Sequence, residues 1–275
     1  MYRVTKPLNH NALLAVKENS TQEYLIMGKG IGFGKKVSER IVLPEGSSVY
    51  MIQNDGEQTN HRKLLNEIEP KYLEISNIIL QKAEETFGQI DKNILFPMAD
   101  HIAFAVKRIK KGESISNPLT QDIQILFYKE YRVAEHSKAL LKKYADIEID
   151  EHEIGYIALH VHSAICDEKV SGAIQIAAAV RECITLIEQD VNKKIDVQSL
   201  SYNRLMNHMK FMVARILHKE ELKLNMNQYM EHQFPRSFEI ASSVCNHLSQ
   251  YFGVNIPENE LGYLAMHIER VFAEL

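Results

Sequence analysis

Over residues 1–53 the apolar positions come in short runs. Tyr2–Lys6 alternates, Ala12–Val16 is continuously apolar, and Glu23–Met27 is rich in strand formers. Such runs predict β-strands, and Asn9-His10-Asn11 supplies the turn between the first two. A last strand is predicted over Ser48–Gln53, after Pro44-Glu45-Gly46. A small antiparallel sheet of this kind buries little core and would gain stability by dimerising. Asn54–Asn60 is polar and turn-prone and reads as a linker. Beyond it Leu64, Leu65, Ile68, Tyr72, Ile75, Ile79 and Ala83 recur at spacings of three and four, the period of an amphipathic helix. The rest of the chain reads as helices with short Gly, Pro or Asn punctuation.

The helical part repeats itself. Glu153-Ile-Gly-Tyr-Ile-Ala-Leu-His160 returns as Glu260-Leu-Gly-Tyr-Leu-Ala-Met-His267, an offset of 107 residues. At the same offset, without a gap, His101, Phe104, Val106, Arg108 and Ile109 correspond to His208, Phe211, Val213, Arg215 and Ile216. Two matches in one register indicate a duplicated helical domain. The fold class expected is therefore multidomain β plus all-α: a small antiparallel β-domain over 1–55, then two homologous helical bundles over 62–169 and 170–275.

Charge sharpens the picture of the head. The chain has 275 residues and a net charge of −4, yet residues 1–53 hold seven Lys or Arg against four Glu, a net of +3. A basic head on an acidic body permits polyanion binding. Gly28, Gly30, Gly32 and Gly34 fall within seven residues of it; a tight turn or bulge accounts for them, and no βαβ unit follows to make a dinucleotide site. Cys166, Cys183 and Cys245 are widely spaced and odd in number, which reads as buried thiols of a reducing compartment rather than a disulfide frame or zinc site. No signal peptide is evident, and the longest apolar run, around Ala177–Val180, falls short of the roughly 20 residues of a membrane span. A cytoplasmic protein without membrane insertion is expected.

Each copy holds one histidine in each matched segment: His101 with His160, and His208 with His267. Helical spacing sets Arg108 on the face of His101, Arg215 on that of His208, and Tyr156 and Tyr263 on those of His160 and His267. Asp100 precedes His101, whereas Asn207 precedes His208. A single buried histidine is ordinarily a core residue satisfied by hydrogen bonds; four in duplicate register point to function. Neutral imidazole is nucleophilic near pH 7 and accepts phosphoryl groups. Metal binding through His160, His162 and Glu153 is the second option, but Glu269 replaces His162 in the other copy and neither copy shows a full ligand spacing. General acid–base catalysis would require a nucleophile or oxyanion motif that is missing. No enzyme activity, cofactor or metal is expected.

At these residues the sequence resembles the BglG/SacY family of transcriptional antiterminators. The resemblance spans nearly the whole chain and is strongest at Met27-Gly-Lys-Gly-Ile-Gly-Phe-Gly-Lys-Lys36, Asp100-His-Ile-Ala-Phe-Ala-Val-Lys-Arg108 and the two Glu-x-Gly-Tyr segments. It implies a dimeric head that clamps an RNA hairpin in a leader transcript and prevents a terminator from forming. It also implies two domains phosphorylated by the phosphocarrier HPr and by a sugar-specific permease of the phosphotransferase system. Carried over, the acceptors are His101, His160, His208 and His267, supported by Asp100, Arg108, Asn207 and Arg215. The RNA contacts are Lys6, Asn9, Asn11, Gly28, Lys29, Gly30, Phe33, Gly34 and Lys35. Glycine allows close backbone approach, Lys meets phosphate, Asn meets base edges or 2′-hydroxyls, and Phe stacks. The chain departs from the family at Asn9-His10-Asn11, where three asparagines are usual, and at Gly34, where many members carry Gln. Gly34 and His160-Val-His162-Ser163 point to the branch controlling glucose uptake. A DNA-binding regulator with the same two domains is the alternative, but it would carry a helix-turn-helix where this chain is strand-like.

Overall fold

The computed structural model describes residues 1–52, 61–166, 169–197, 199–220 and 222–274. The linker expected over Asn54–Asn60, and the end of the last predicted strand at Gln53, lie outside them.

Five strands form one antiparallel sheet: β1 (Tyr2–Asn9), β2 (Ala12–Lys17), β3 (Glu23–Met27), β4 (Arg40–Ile41) and β5 (Ser48–Met51), in the order β4-β1-β2-β3-β5. β1 runs three residues beyond its predicted end, and the β1–β2 register shifts between Val4 and Lys6 and again between Pro7 and Asn9. β4 was not predicted, because two residues carry no readable period. Alternation gives the sheet two faces. Val4, Leu13, Ala15, Ile26, Ile31 and Ile41 cluster as one buried core. On the other face the register aligns Leu14, Leu25 and Tyr50, all buried. That second face is met from within the chain: the Tyr50 hydroxyl donates to Asn77 Oδ1 at 2.5 Å, and Gln81 Nε2 donates to Ser48 Oγ at 3.3 Å. The sheet's want of core, which the sequence alone would assign to a second copy, is thus partly met by a helix of its own chain.

The glycine run is a succession of turns. Ile31, Phe33 and Lys35 N–H groups donate to the carbonyls of Gly28, Gly30 and Gly32, three residues earlier. Gly30 and Gly34 take positive φ, +71° and +68°. At Gly32 the constraint is approach: a Cβ there would sit 2.1 Å from the Asn9 carbonyl oxygen.

The helices are α1 (His61–Glu67), α2 (Pro70–Phe87), α3 (Leu95–Lys110), α4 (Thr120–Leu126), α5 (Tyr128–Ala134), α6 (His136–Ala145), α7 (Glu151–Ile165), α8 (Val170–Val191), α9 (Leu200–His218), α10 (Asn227–Gln233), α11 (Pro235–Phe252) and α12 (Asn259–Phe272), with a 3₁₀ turn at Lys92–Ile94. The apolar period runs through Pro70, but the chain breaks there, and the proline takes the first turn of α2. The offset of 107 carries α4 onto α10 residue for residue, α3 into α9, and α7 onto α12 within a residue. α5 and α6 together match the single helix α11. Asp150 caps α7 by accepting from Glu153 N–H at 3.0 Å, and Ser199 caps α9 by accepting from Tyr202 N–H at 3.0 Å.

The chain forms two compact units. One comprises Met1–Asn117 and Lys129–Val170, the other Pro118–Tyr128 and Ser171–Leu275. In the second unit Lys210 Nζ donates to the Leu126 carbonyl at 2.6 Å, and Arg181 lies 3.6 Å from buried Asp122. α8 is long and apolar enough by composition to cross a membrane, which reading the apolar run around Ala177–Val180 missed. Ala173, Ile176, Ala177, Val180, Cys183, Ile184 and Ile187 of that helix are buried in the protein core. Cys183 and Cys245 are buried as expected, and burial pushes the Cys245 thiol up to about 12. Cys166 corrects the expectation: it is exposed, at the end of α7.

Candidate functional site

α3 packs on α7, and α9 on α12. Each pairing brings the two predicted histidines together. His101 and His160 have ring centroids 5.3 Å apart, with Tyr156 5.6 Å from His101. His208 and His267 stack at 4.5 Å, with Tyr263 6.1 Å from His208. Residues 59 apart in sequence meet because each helix pair buries an apolar stripe with the histidines at its edge.

The two centres share a plan. Among the described residues, six of the eight buried side-chain polar atoms without a hydrogen-bond partner lie in them: His101 Nε2, Arg108 Nε, Glu153 Oε2, His160 Nδ1, His208 Nε2 and His267 Nδ1. The four histidine nitrogens are equivalent atoms in the two copies. Buried polar atoms are ordinarily satisfied, so such a concentration singles the two centres out as the candidate site.

They also differ. Arg108 donates through Nη2 to Glu153 Oε1, while Glu153 Oε2 faces His101 Nε2 at 3.5 Å. Burial disfavours the Glu153 carboxylate, but His101 and Arg108 outweigh it and hold its pKa below the ordinary value. In the second copy Arg215 holds both Glu260 oxygens, from Nε and Nη2, each at 2.8 Å. One glutamate is shared between histidine and arginine; the other is wholly engaged by arginine. Sequence reasoning placed Arg108 and Arg215 beside the histidines but missed that the two glutamates of the repeated motif are their partners.

Burial lowers the His160 pKa to about 3, with His101 adding to the effect. It lowers His208 to about 3, helped by His267 and Arg215, and His267 to about 4, helped by Arg270 and Arg204. All three are neutral at pH 7 and keep a nucleophilic lone pair. The unfolded chain binds protons near pH 6.5 that the folded chain refuses, so stability falls as pH drops from about 7 towards the folded values. Thermal melts at pH 7.5 and 5.5 are expected to show a loss of about 1 kcal/mol per histidine. The loss should shrink in His208→Gln and His267→Gln; equal losses in wild type and both variants would contradict these assignments.

The remaining predicted side chains are more scattered. Asp100 and Asn207 are exposed, and Asn207 Nδ2 donates back to the Asn203 carbonyl at 2.9 Å. His162 Nδ1 lies 3.0 Å from buried Glu130 Oε1, and Glu153 is held by Arg108, so the two do not converge with His160 as a ligand set. In the second copy Ser237 donates to Glu269 at 2.6 Å at the positions equivalent to Glu130 and His162. The equivalent contact is made with different chemistry.

In the head, Asn9 and Asn11 meet the glycine run. Asn9 Oδ1 accepts from Asn11 N–H and Asn11 Oδ1 accepts from Gly30 N–H, both at 2.9 Å. His10 and Phe33 rings meet edge to face at 5.1 Å, leaving Phe33 66% exposed and able to stack. Lys6 and Lys29 are exposed, and Lys35 pairs with Glu39 at 2.5 Å. His10 belongs to this surface although it was not among the predicted contacts, and Gly32 is buried beneath it against the Asn9 carbonyl.

Comparison with known proteins agrees with both regions. Residues 2–59 match the CAT RNA binding domain, and 73–164 and 181–271 each match the PRD domain. The chain is similar to Protein GlcT of Staphylococcus epidermidis, 32% identical over 97% of this chain and 95% of that protein. It is also similar to the GlcA/glcB genes antiterminator of Staphylococcus carnosus, 30% identical over 97% and 94%. A solved structure, described as the crystal structure of GlcT CAT-PRDI, superposes with a TM-score of 0.52 at 34% identity, covering 60% of this chain and 98% of that one.

Proposed function

The chain belongs to the family of antiterminators that join a CAT RNA-binding domain to two PRD domains, on its glucose-type branch, and from that premise we propose that it works as a cytoplasmic dimer gripping a leader-transcript hairpin under control of histidine phosphorylation. The family is regulatory, not enzymatic: it is an RNA-binding antiterminator under phosphotransferase control. The finer reading assigns 1–55 to RNA binding and 62–169 and 170–275 to regulation. His101, His160, His208 and His267 are the acceptors. Phospho-HPr and a sugar-specific permease are the donors. Asp100, Arg108, Asn207 and Arg215 are their supporting residues. Lys6, Asn9, Asn11, Gly28, Lys29, Gly30, Phe33, Gly34 and Lys35 face RNA.

The observation that carries this reading is the pair of histidine centres with equivalent unpartnered nitrogens. In the transfer, an imidazole lone pair attacks the phosphorus of the donor's phosphohistidine; the new N–P bond forms as the donor's N–P bond breaks. The product bears roughly two negative charges and alters the contacts around it. Incubating the full chain with phosphoenolpyruvate, the general phosphotransferase enzyme and HPr is expected to place acid-labile phosphate on one or more of the four histidines, read by mass spectrometry. Phosphate elsewhere, or none, would overturn the acceptor assignment.

A further inference from the structure

We propose that Glu74 is an internal competitor for RNA, masking the base-reading amides of the head; the inference rests on the RNA reading of Asn9 and Asn11 given above. Both asparagines have committed their oxygens to the turn, through Asn11 N–H and Gly30 N–H. What each can offer a ligand is its NH₂ group. Glu74 takes both: Asn9 Nδ2 donates to Oε1 at 2.5 Å and Asn11 Nδ2 donates to Oε2 at 3.1 Å. A carboxylate that accepts from two amides imitates the acceptors of a base edge or a phosphate, with the added strength of its charge.

The competitor is firmly mounted. Glu74 stands on α2 between Leu73 and Ile75, both fully buried, so its backbone is held in place and the carboxylate starts from a fixed point beside the turn. The cleft beside it is lined by Asn11, Gly28 and Lys29 from the head and by Glu74, Asn77 and Gln81 from α2. Three of the residues that would face RNA therefore open onto a wall of α2, and the charge there repels phosphate. α2 packs on α3, which carries His101. Any event that shifts α3 can thus be felt at the mask.

The test uses the full chain. RNA hairpins with randomised stem and loop are enriched on the Glu74→Ala protein, and the enriched pool is the probe. Alanine is a good helix former, so α2 is retained, as a far-ultraviolet melt would show. The pool is expected to bind Glu74→Ala about tenfold more tightly than wild type, the scale of losing a charge-assisted competitor. Glu74→Gln, which keeps an acceptor but drops the charge, should fall between them. Asn9→Ala and Asn11→Ala in the Glu74→Ala background should abolish the gain. A pool that binds wild type and Glu74→Ala equally would overturn the mask while leaving RNA binding intact. Failure of any hairpin to enrich would overturn the RNA reading, and the mask with it.

Discussion

Glu260→Ala is expected to destabilise the second helical copy by about 3–5 kcal/mol, enough to unfold it in mild denaturant. The Glu260 side chain is fully buried, and both of its oxygens are held by Arg215 at 2.8 Å. Removing it leaves the Arg215 guanidinium, on a side chain only 19% exposed, with neither a counter-charge nor its acceptors. Breaking a buried pair costs far more than the pair contributes over an apolar replacement. Arg215→Met combined with Glu260→Leu should therefore recover most of the loss. The discriminating measurement is a double-mutant cycle from urea unfolding followed by circular dichroism at 222 nm, treated as a multistate transition because the chain has more than one unit. If Glu260→Ala unfolds within 1 kcal/mol of wild type, the pair is not the brace described here. Glu153→Ala is expected to act in the same direction in the first copy, with loss of the contact to His101 as well.

Much of this architecture is readable from residue order, for reasons that particular positions make plain. The strands at Ala12–Lys17 and Glu23–Met27 and the histidine register survive into three dimensions because period and repetition are local properties of the chain. What the sequence hides is who meets whom across the fold. Glu153 and Glu260 stand out in the motif, yet nothing local says that each will reach an arginine 45 residues away. Nor does any pattern predict that Glu74, an ordinary polar position of an amphipathic helix, closes on the Asn9–Asn11 turn. The break between α1 and α2 was marked by Pro70, but the apolar period continued across it and concealed it. β4 left no trace, being held by pairing with β1 rather than by its own composition.

Opposite effects of negative charge in the two copies are the second large expectation. His101→Asp puts a carboxylate where Glu153 Oε2 now faces imidazole at 3.5 Å, so two like charges would confront each other across the α3–α7 contact. Repulsion there favours separation of the helices, as a phosphoryl group would, and His160→Asp adds the cost of a charge at a site only 8% exposed. In the second copy Glu260 is neutralised on both oxygens by Arg215, and Arg204 and Arg270 act on His267. Negative charge at 208 or 267 therefore enters a more positive setting and should draw the helices together. Readthrough of a leader terminator in a reporter is expected to fall in His101→Asp and His160→Asp and to rise in His208→Asp and His267→Asp. The changes should be about 5- to 150-fold, matching couplings of about 1–3 kcal/mol. Because His160 is buried, a readthrough loss in His160→Asp counts only if the thermal midpoint is close to that of His160→Ala. Readthrough that stays level in all four variants would mean that charge at the paired imidazoles does not reach the RNA-binding head.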